Sequence, residues 1–179
     1  MNTPHLPAFS DWLKIERGYS PHTIECYSRD IRDFFQTLDN KVKTEEITRE
    51  HIRHYISSLY LVNSGSSVAR KMSALRTFFK YCLRQGHITI DPLAGLAGPK
   101  RSRHIPTYLT VDEVFSLLEE PKKKDRFFRR DGAIMELIYA TGIRVSEAVA
   151  TDIGDADFSA ELIKIKGKGK KERLVPFGS

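Results

Sequence analysis

The segment YATGIRVSEAVA, residues 139–150, contains an arginine in an unusual position. Gly142 is expected to end one helix, and Arg144 then falls in the first turn of the next helix. The N-terminal end of a helix carries a partial positive charge that favours anions, so an arginine there is electrostatically disfavoured. Its placement raises the question of a functional role, against the alternative of a routine surface pair with Glu147. Glu147, three residues later, is within reach of Arg144 as a helical neighbour.

A second candidate for chemistry is one face of the helix predicted over residues 66–86. Its core stripe, at steps of three and four residues, is Val68, Met72, Leu75, Phe79 and Cys82. The opposite face carries only positive charges and small hydroxyls: Arg70, Ser73, Thr77, Lys80 and Arg84, with Arg76 on its flank. Such groups contact phosphates and reach base edges in a major groove. We favour DNA contact over the alternative of a merely solvated helix face.

Positive charge is concentrated in three parts of the chain. The net charge is +6, and residues 51–90 contain no aspartate or glutamate. A second basic group is Lys100, Arg101, Arg103 and His104, and a third is Lys164, Lys166, Lys168, Lys170, Lys171 and Arg173. Separate basic patches predict a polyanion that touches several elements. Three solvated lysine-rich faces explain the charge alone equally well.

Composition excludes several classes of protein. The hydrophobic content of 40% predicts a folded chain. Cys26 and Cys82 form no C-x-x-C pair and are interpreted as reduced core cysteines. The N-terminus lacks the pattern of a signal peptide, and no apolar stretch approaches the ~20 residues of a membrane span. We expect a soluble, cytoplasmic protein.

The elements that must position these residues are mainly helices. Apolar residues at helical spacing predict amphipathic helices over residues 1–97. Capping residues place the starts of three of them at Ser20 with Pro21, at Thr48 and near Ser66. The basic run and the Gly-Pro at its start predict a linker over residues 98–107. Residues 108–179 predict a helix capped by Thr110 and Glu113, two further helices, and a hairpin of the strands LIKIK and RLVPF.

Three segments together resemble the Xer-type tyrosine recombinases, which are relatives of the phage integrases. They are YSPHTIECYSRDIRDFF, ATGIRVSEA and IKGKGKKERLVPF, in the family's order and spacing. RKMSALRTFFKYCLRQGHITIDPLAGLAGPK is similar to the helix that closes the family's N-terminal domain. The resemblance implies a mainly α fold, in which a four-helix SAM-like core-binding domain (1–97) is joined by the basic linker (98–107) to a truncated α/β catalytic domain (108–179).

The resemblance also implies a reaction and roles for single residues. In the family a tyrosine hydroxyl attacks a DNA phosphate, forms a 3′-phosphotyrosyl link and releases a 5′-hydroxyl. The resemblance therefore implies a nucleoid-associated protein that uses no metal or cofactor. Arg144 matches the first catalytic arginine, whose planar fork suits phosphate oxygens. Lys168 matches the general-acid lysine, and Glu147 the acidic residue that supports the site. Lys100, Arg101 and Arg103 are expected to contact DNA. Lys170 and Lys171 are interpreted as phosphate contacts or simple turn charges.

The pattern departs from the family at the nucleophile. No histidine is followed three residues later by arginine, and every tyrosine lies at or before Tyr139. Tyr139 itself is interpreted as a core residue of its helix. We therefore expect a truncated chain or a fragment that cannot cleave DNA and is a monomer in isolation. The complete protein is expected to act as a tetramer on double-stranded DNA.

Three functions remain open at this point. The leading hypothesis is the N-terminal portion of a site-specific recombinase, active only as the complete chain. The second is a non-catalytic DNA-binding module or regulator derived from such a recombinase. The third is a helical protein-interaction domain whose basic patches are incidental. A steep loss of DNA affinity with added salt would separate the first two from the third.

Overall fold

The computed structural model describes residues 3, 5–39, 42–98, 107–121, 125–167 and 171–178 of the 179-residue chain. The chain divides into two compact units, Met1–His104 and Ile105–Ser179. Most of the predicted linker, residues 99–106, lies outside the described residues, so its structure stays a prediction. None of the helices in the described ranges is long and apolar enough to cross a membrane.

The first unit is helical. Its elements are α1 (Leu6–Ile15), α2 (Pro21–Gln36), a 3-10 helix (Thr44–Glu46), α3 (Arg49–Val62) and α4 (Gly65–Arg84). The predicted starts are confirmed: the Ser20 hydroxyl accepts a hydrogen bond from the Thr23 N–H at 3.3 Å, and Thr48 is the N-cap of α3. Helix α4 begins just before the expected residue, because Ser64 is its N-cap.

The core of the first unit lies between the four helices. The stripe predicted along α4 is confirmed, since each of its five side chains is at most 1% exposed. Aromatic side chains join α4 to its neighbours: Phe9 of α1 meets Phe78 edge-on at 5.3 Å between ring centroids, and Phe34 of α2 meets Phe79 at 6.2 Å. Interdigitated rings of this kind fix the orientation of α4, and therefore the direction of its remaining faces.

The second unit combines short helices with a small sheet. Its elements are α5 (Val111–Leu118), α6 (Phe128–Thr141), α7 (Val145–Val149), a 3-10 helix (Ile153–Asp155), β1 (Ala156–Asp157), β2 (Leu162–Lys166) and β3 (Glu172–Pro176). The strands form an antiparallel sheet in the order β1-β2-β3, with Ile165 paired to Arg173. A mainly α chain with a small hairpin is confirmed. Strand β1 was not predicted, because two residues carry no alternation pattern.

Local signals in the second unit also act as predicted. Thr110 and Glu113 form the expected capping box, with the Thr110 N–H donating to Glu113 Oε2 at 2.7 Å. Gly142 ends α6 at a φ of 62°, and its N–H donates to the Ile138 carbonyl at 2.8 Å. The prediction that Tyr139 is a core residue was wrong: it is 57% exposed, and it belongs to neither of the two hydrophobic clusters of the described residues.

Candidate functional site

Arg144 lies at the junction between α6 and α7. The left-handed turn at Gly142 is followed by extended backbone at Arg144, with φ −73° and ψ 149°, which makes Arg144 the N-cap of α7. The expectation that it occupies the first helical turn was therefore wrong by one position. Its side chain is 75% exposed. The guanidinium is thus largely exposed to solvent, at the N-terminal end of α7.

Glu147 is the buried centre of this site, with a side chain only 6% exposed. Its Oε2 accepts a hydrogen bond from the backbone N–H of Arg144 at 2.9 Å, and its Oε1 accepts one from Arg144 Nη1 at 3.0 Å. The carboxylate therefore holds both the backbone and the side chain of the arginine. The role that the resemblance implies for Glu147 in the reaction stays a prediction.

A second arginine, Arg173 of β3, completes the cluster. Its Nη1 donates to Glu147 Oε1 at 3.0 Å, and its Nη2 donates to Glu147 Oε2 at 2.8 Å. The sequence placed Arg173 only within a basic run, without a role of its own. Strand alternation carried a signal, however. Arg173 is the register partner of the fully buried Ile165, so its side chain lies on the same face of the sheet, where it remains 42% exposed.

The electrostatics of the cluster follow from these contacts. The hydrogen bonds from Arg173, and then that from the Arg144 backbone, lower the pKa of Glu147 to about 2. The hydrogen bond to Glu147 in turn raises the pKa of Arg173 above its ordinary value. The carboxylate is therefore ionised at neutral pH. Two guanidiniums around one carboxylate leave an excess positive charge beside Arg144, which suits a phosphate.

Gly167 brings the hairpin against this cluster. A methyl group at its α-carbon would lie 3.2 Å from Arg173 Nη1 and 3.5 Å from Glu147 Oε1. The Gly167 N–H donates to the Lys171 carbonyl at 2.7 Å. Lys168, the predicted general acid, directly follows Gly167 in the sequence. Lys168 and Lys170 lie outside the described residues, so their roles stay predictions, and Lys171 is exposed.

The basic face of α4 is partly engaged with α2. Arg70 forms an ion pair with Asp30, which is fully buried, and the Arg70 side chain remains 40% exposed. Lys71 Nζ lies 2.5 Å from Asp33 Oδ2 and 3.4 Å from Asp30 Oδ1. Desolvation of Lys71 works to lower its pKa, but the hydrogen bond to Asp33 and nearby negative charges raise the pKa overall. Sequence analysis missed this cluster, because the acids lie on a different helix.

The other α4 residues that were predicted to contact DNA also divide into those bonded within the protein and those exposed to solvent. The Ser73 and Tyr27 hydroxyls are 3.3 Å apart, the Thr77 hydroxyl donates to the Ser73 carbonyl, and Arg76 donates to the Leu96 carbonyl at 2.6 Å. Lys80 is exposed, and Arg84 Nη1 lies 3.6 Å from Oε2 of Glu16, the C-cap residue of α1. Cationic groups thus reach the surface at Arg70, Lys80 and Arg84.

The linker cations and candidate metal ligands remain to be considered. Lys100, Arg101 and Arg103 lie outside the described residues. In the part of the chain that the structure describes, no group of three His, Cys, Asp or Glu side chains is arranged to hold a metal ion.

Comparison with known families decides the classification. The model described as the phage integrase N-terminal SAM-like domain matches residues 6–86, and the model of the phage integrase family matches residues 107–179. The chain belongs to the phage integrase family of tyrosine recombinases. Both matches occur in the order in which the Xer-type resemblance implied them.

The relatives of this tyrosine recombinase chain include both Xer types. It is 41% identical to tyrosine recombinase XerC of Thermodesulfovibrio yellowstonii, over 97% of the chain and 58% of that protein. It is 36% identical to XerD of Halalkalibacterium halodurans, over 97% of the chain and 60% of that protein. The chain therefore spans about three fifths of the length of these curated relatives.

Solved structures of the family share the fold. A lambda integrase tetramer bound to a Holliday junction matches 96% of the chain and 49% of its own length, with a TM-score of 0.78 and 22% identity. XerH bound to its difH substrate matches 95% of the chain and 51% of its own length, with a TM-score of 0.64 and 20% identity. At these identities the likeness establishes the fold alone.

Proposed function

We propose that this chain supplies the DNA-binding helical unit and the cationic part of the active site of a site-specific tyrosine recombinase. The observation that carries the proposal is the cluster of Arg144 and Arg173 around the buried Glu147. Charge builds on the phosphate oxygens during phosphoryl transfer, and positioned guanidiniums stabilise that charge. Membership of the family supports the reaction class, and the recombinases XerC and XerD are its relatives.

Within this proposal, Arg144 binds the oxygens of the phosphate that is attacked. Its exposed guanidinium keeps donors available, while Glu147 fixes its position from the buried side. Lys168 is proposed to protonate the departing 5′-oxygen, because a lysine near other cations has a lowered pKa that favours proton donation. The basic face of α4 and the residues Lys100, Arg101 and Arg103 are proposed to hold the DNA backbone.

Strand cleavage is proposed to require groups beyond those present here. The sequence contains no His-x-x-Arg and no tyrosine after Tyr139. We expect this chain to bind DNA without forming a covalent complex, and we expect the tetramer only for the complete protein on DNA. A nicked duplex that traps the phosphotyrosyl product tests this on a denaturing gel. A covalent DNA adduct on Tyr139 would contradict the proposal.

DNA binding is tested by fluorescence anisotropy on a Xer-type core-site duplex and on a shuffled duplex, across a salt series. We expect affinity to fall steeply with salt, because bound cations release counterions from DNA. Lys80→Ala is expected to reduce the salt slope by about one, and the exposed Lys14→Ala on α1 serves as a control of equal charge.

The outcomes separate the proposed functions. Preference for the core site supports a recombinase segment that recognises its target. Equal binding to both duplexes supports the second function, an unspecific DNA-binding module derived from the family. No binding at low salt would overturn the DNA proposal for this chain and leave the protein-interaction hypothesis.

A further inference from the structure

The carboxylate of Glu147 accepts four hydrogen bonds, two from the Arg173 side chain, one from the Arg144 side chain and one from the Arg144 backbone. Arg173 donates to both carboxylate oxygens, at 3.0 and 2.8 Å. The Arg144 side chain donates to Oε1 alone, and its second contact with Glu147 uses its backbone N–H. Arg173 therefore forms the bidentate pair with the carboxylate, which is the stronger arrangement of an arginine and a carboxylate, whereas the Arg144 side chain forms a single hydrogen bond.

This division determines how much of Arg144 is available to a ligand. Arg144 is only three residues from Glu147, so an unoccupied carboxylate would attract both arms of its guanidinium. Because Arg173 holds both oxygens, Arg144 touches the carboxylate with one arm and remains 75% exposed. Among the described residues, its guanidinium donates to Glu147 Oε1 and to no other acceptor.

We propose that Arg173 is a positioning residue: by occupying both oxygens of Glu147, it keeps the guanidinium of Arg144 free for a DNA phosphate. This inference rests on the proposed function of Arg144. It assigns Arg173 no contact with the reacting atoms. The site therefore needs a planar fork at position 173, and a lysine there supplies the charge without the two parallel donors.

The hairpin is built to leave room for this fork. Arg173 Nη1 would lie 3.2 Å from a methyl group on Gly167, which is closer than an ordinary van der Waals contact. Arg173 also stands opposite Ile165, whose complete burial fixes the strand from which the arginine projects. The strand register and the absence of a side chain at Gly167 thus allow Arg173 to contact Glu147 without a bound ligand.

The first test follows the carboxylate and Arg144 directly, without DNA. The variants are Arg173→Gln, Arg173→Lys and the control Arg130→Gln, which removes an exposed guanidinium from α6 that pairs with Asp131. The side-chain carboxyl ¹³C signal of Glu147 is titrated, and rotation of the Arg144 Nη groups is followed by ¹⁵N NMR. We expect the Glu147 pKa to rise in R173Q and less in R173K, while Arg144 rotation slows in R173Q. A backbone amide spectrum confirms that each variant is folded.

The second test measures DNA affinity in a double-mutant cycle of R144A, R173Q and R144A/R173Q, at one salt concentration. Each single change is expected to weaken binding about tenfold, as expected for a lost charge-assisted hydrogen bond. The double variant is expected to bind no more weakly than R144A, because Arg173 acts through Arg144. R173K is expected to recover only part of the affinity.

Each outcome bears on one of the two proposals. Additive losses would mean that Arg173 contacts DNA itself and would overturn the positioning role. Unchanged Arg144 rotation in R173Q, or full recovery of affinity by R173K, would also overturn it. If the unaltered chain binds no DNA, the proposed function fails, and the NMR measurements still decide whether Arg173 keeps Arg144 free.

Discussion

At the scale of single residues, the site depends on a carboxylate that stays ionised because two arginines surround it. The folded pKa of Glu147, about 2, lies below its ordinary value of 4.5. Ionised Glu147 therefore stabilises the fold at every pH above the unfolded value. That contribution declines as the pH falls from 4.5 towards 2, where the folded protein also takes up the proton.

This linkage predicts a pH-dependent effect of Glu147→Gln. The difference in the free energy of unfolding between the unaltered chain and E147Q is expected to be constant above about pH 5 and to shrink below it. Urea unfolding at a series of pH values measures the difference. Glu136→Gln, an exposed change of equal charge on α6, gives the baseline. A difference for E147Q that stays constant down to pH 2 would contradict the assignment of the low pKa.

Sequence patterns predicted residues of this site only where the partners lie close in the chain. Arg144 and Glu147 are three residues apart, so their pairing follows from helical spacing alone. Arg173 is 26 residues from Glu147, and it stands in a run of other basic residues. Only the strand register singles it out. Tyr139 was misjudged because an apolar helical position was assumed to have a covering element.

At the scale of elements, α2 and α4 are joined by charge as well as by apolar packing. Asp30 is completely buried, and its two partners, Arg70 and Lys71, both come from α4. A buried carboxylate requires such cations, because taking a charge out of water is costly. The pairing therefore fixes which face of α4 turns towards α2, and it leaves the exposed part of Arg70 at the edge of the basic face.

Removing the buried acid is expected to destabilise the first unit strongly. Asp30→Ala should reduce the free energy of unfolding by about 1–3 kcal/mol, because it removes the acidic partner of the half-buried Arg70 and one of the two acidic partners of Lys71. The control is Asp33→Ala on the same helix: Asp33 is 41% exposed, and its loss still leaves Lys71 beside Asp30. That change should cost below about 1 kcal/mol. Urea unfolding followed by Trp12 fluorescence reports on this unit, since Trp12 packs on its core. Equal costs for the two variants would contradict the role of burial.

The turn between α6 and α7 is expected to be sensitive to its glycine. Gly142 has a φ of 62° with open space around its α-carbon, so Gly142→Ala adds backbone strain and no steric clash. We expect a loss of about 1 kcal/mol in the stability of the second unit. Gly132→Ala is the matched control inside α6, where alanine should stabilise the helix by about 0.5–1 kcal/mol. Circular dichroism during urea unfolding measures both. A stabilising effect of G142A would contradict the left-handed conformation.

Element boundaries were predictable where capping chemistry is local. Ser20, Thr48, Thr110 and Gly142 each act within three or four residues of their own position, and each ends or begins a helix as expected. The docking of α2 on α4 through Asp30 was not predictable, because it joins positions 40 residues apart. Spacing within one helix identifies its buried face but not its partner.

At the scale of the whole molecule, the two units differ greatly in the size of their cores. Among the described residues, the first unit contains 18 buried hydrophobic residues in one cluster, and the second contains three, namely Ile143, Ile163 and Ile165. Helices α5 and α6 contribute no fully buried side chain, and Val111 and Phe115 of α5 are more than half exposed. Stability rises with buried apolar area, so the two units should differ in stability.

Hydrogen exchange is expected to report this difference. Backbone amides of α2 and α4 should exchange slowly, and those of α5 and α6 much faster, because little apolar surface closes over them. Exchange measured by mass spectrometry on peptides from both units tests this at one pH and temperature. Amides of α6 that exchange as slowly as those of α4 would contradict the expectation.

The pairing of Ile165 with Arg173 also limits how the hairpin sequence can vary in length. A one-residue slip of β3 would bring Glu172 or Leu174 to the place of Arg173, and so set a second carboxylate or an apolar side chain against Glu147. Insertions and deletions in related chains are therefore expected between the strands, where they preserve the pairing, and not within β3. The ion pair between Arg173 and Glu147 is therefore expected to restrict where insertions and deletions are tolerated in the hairpin.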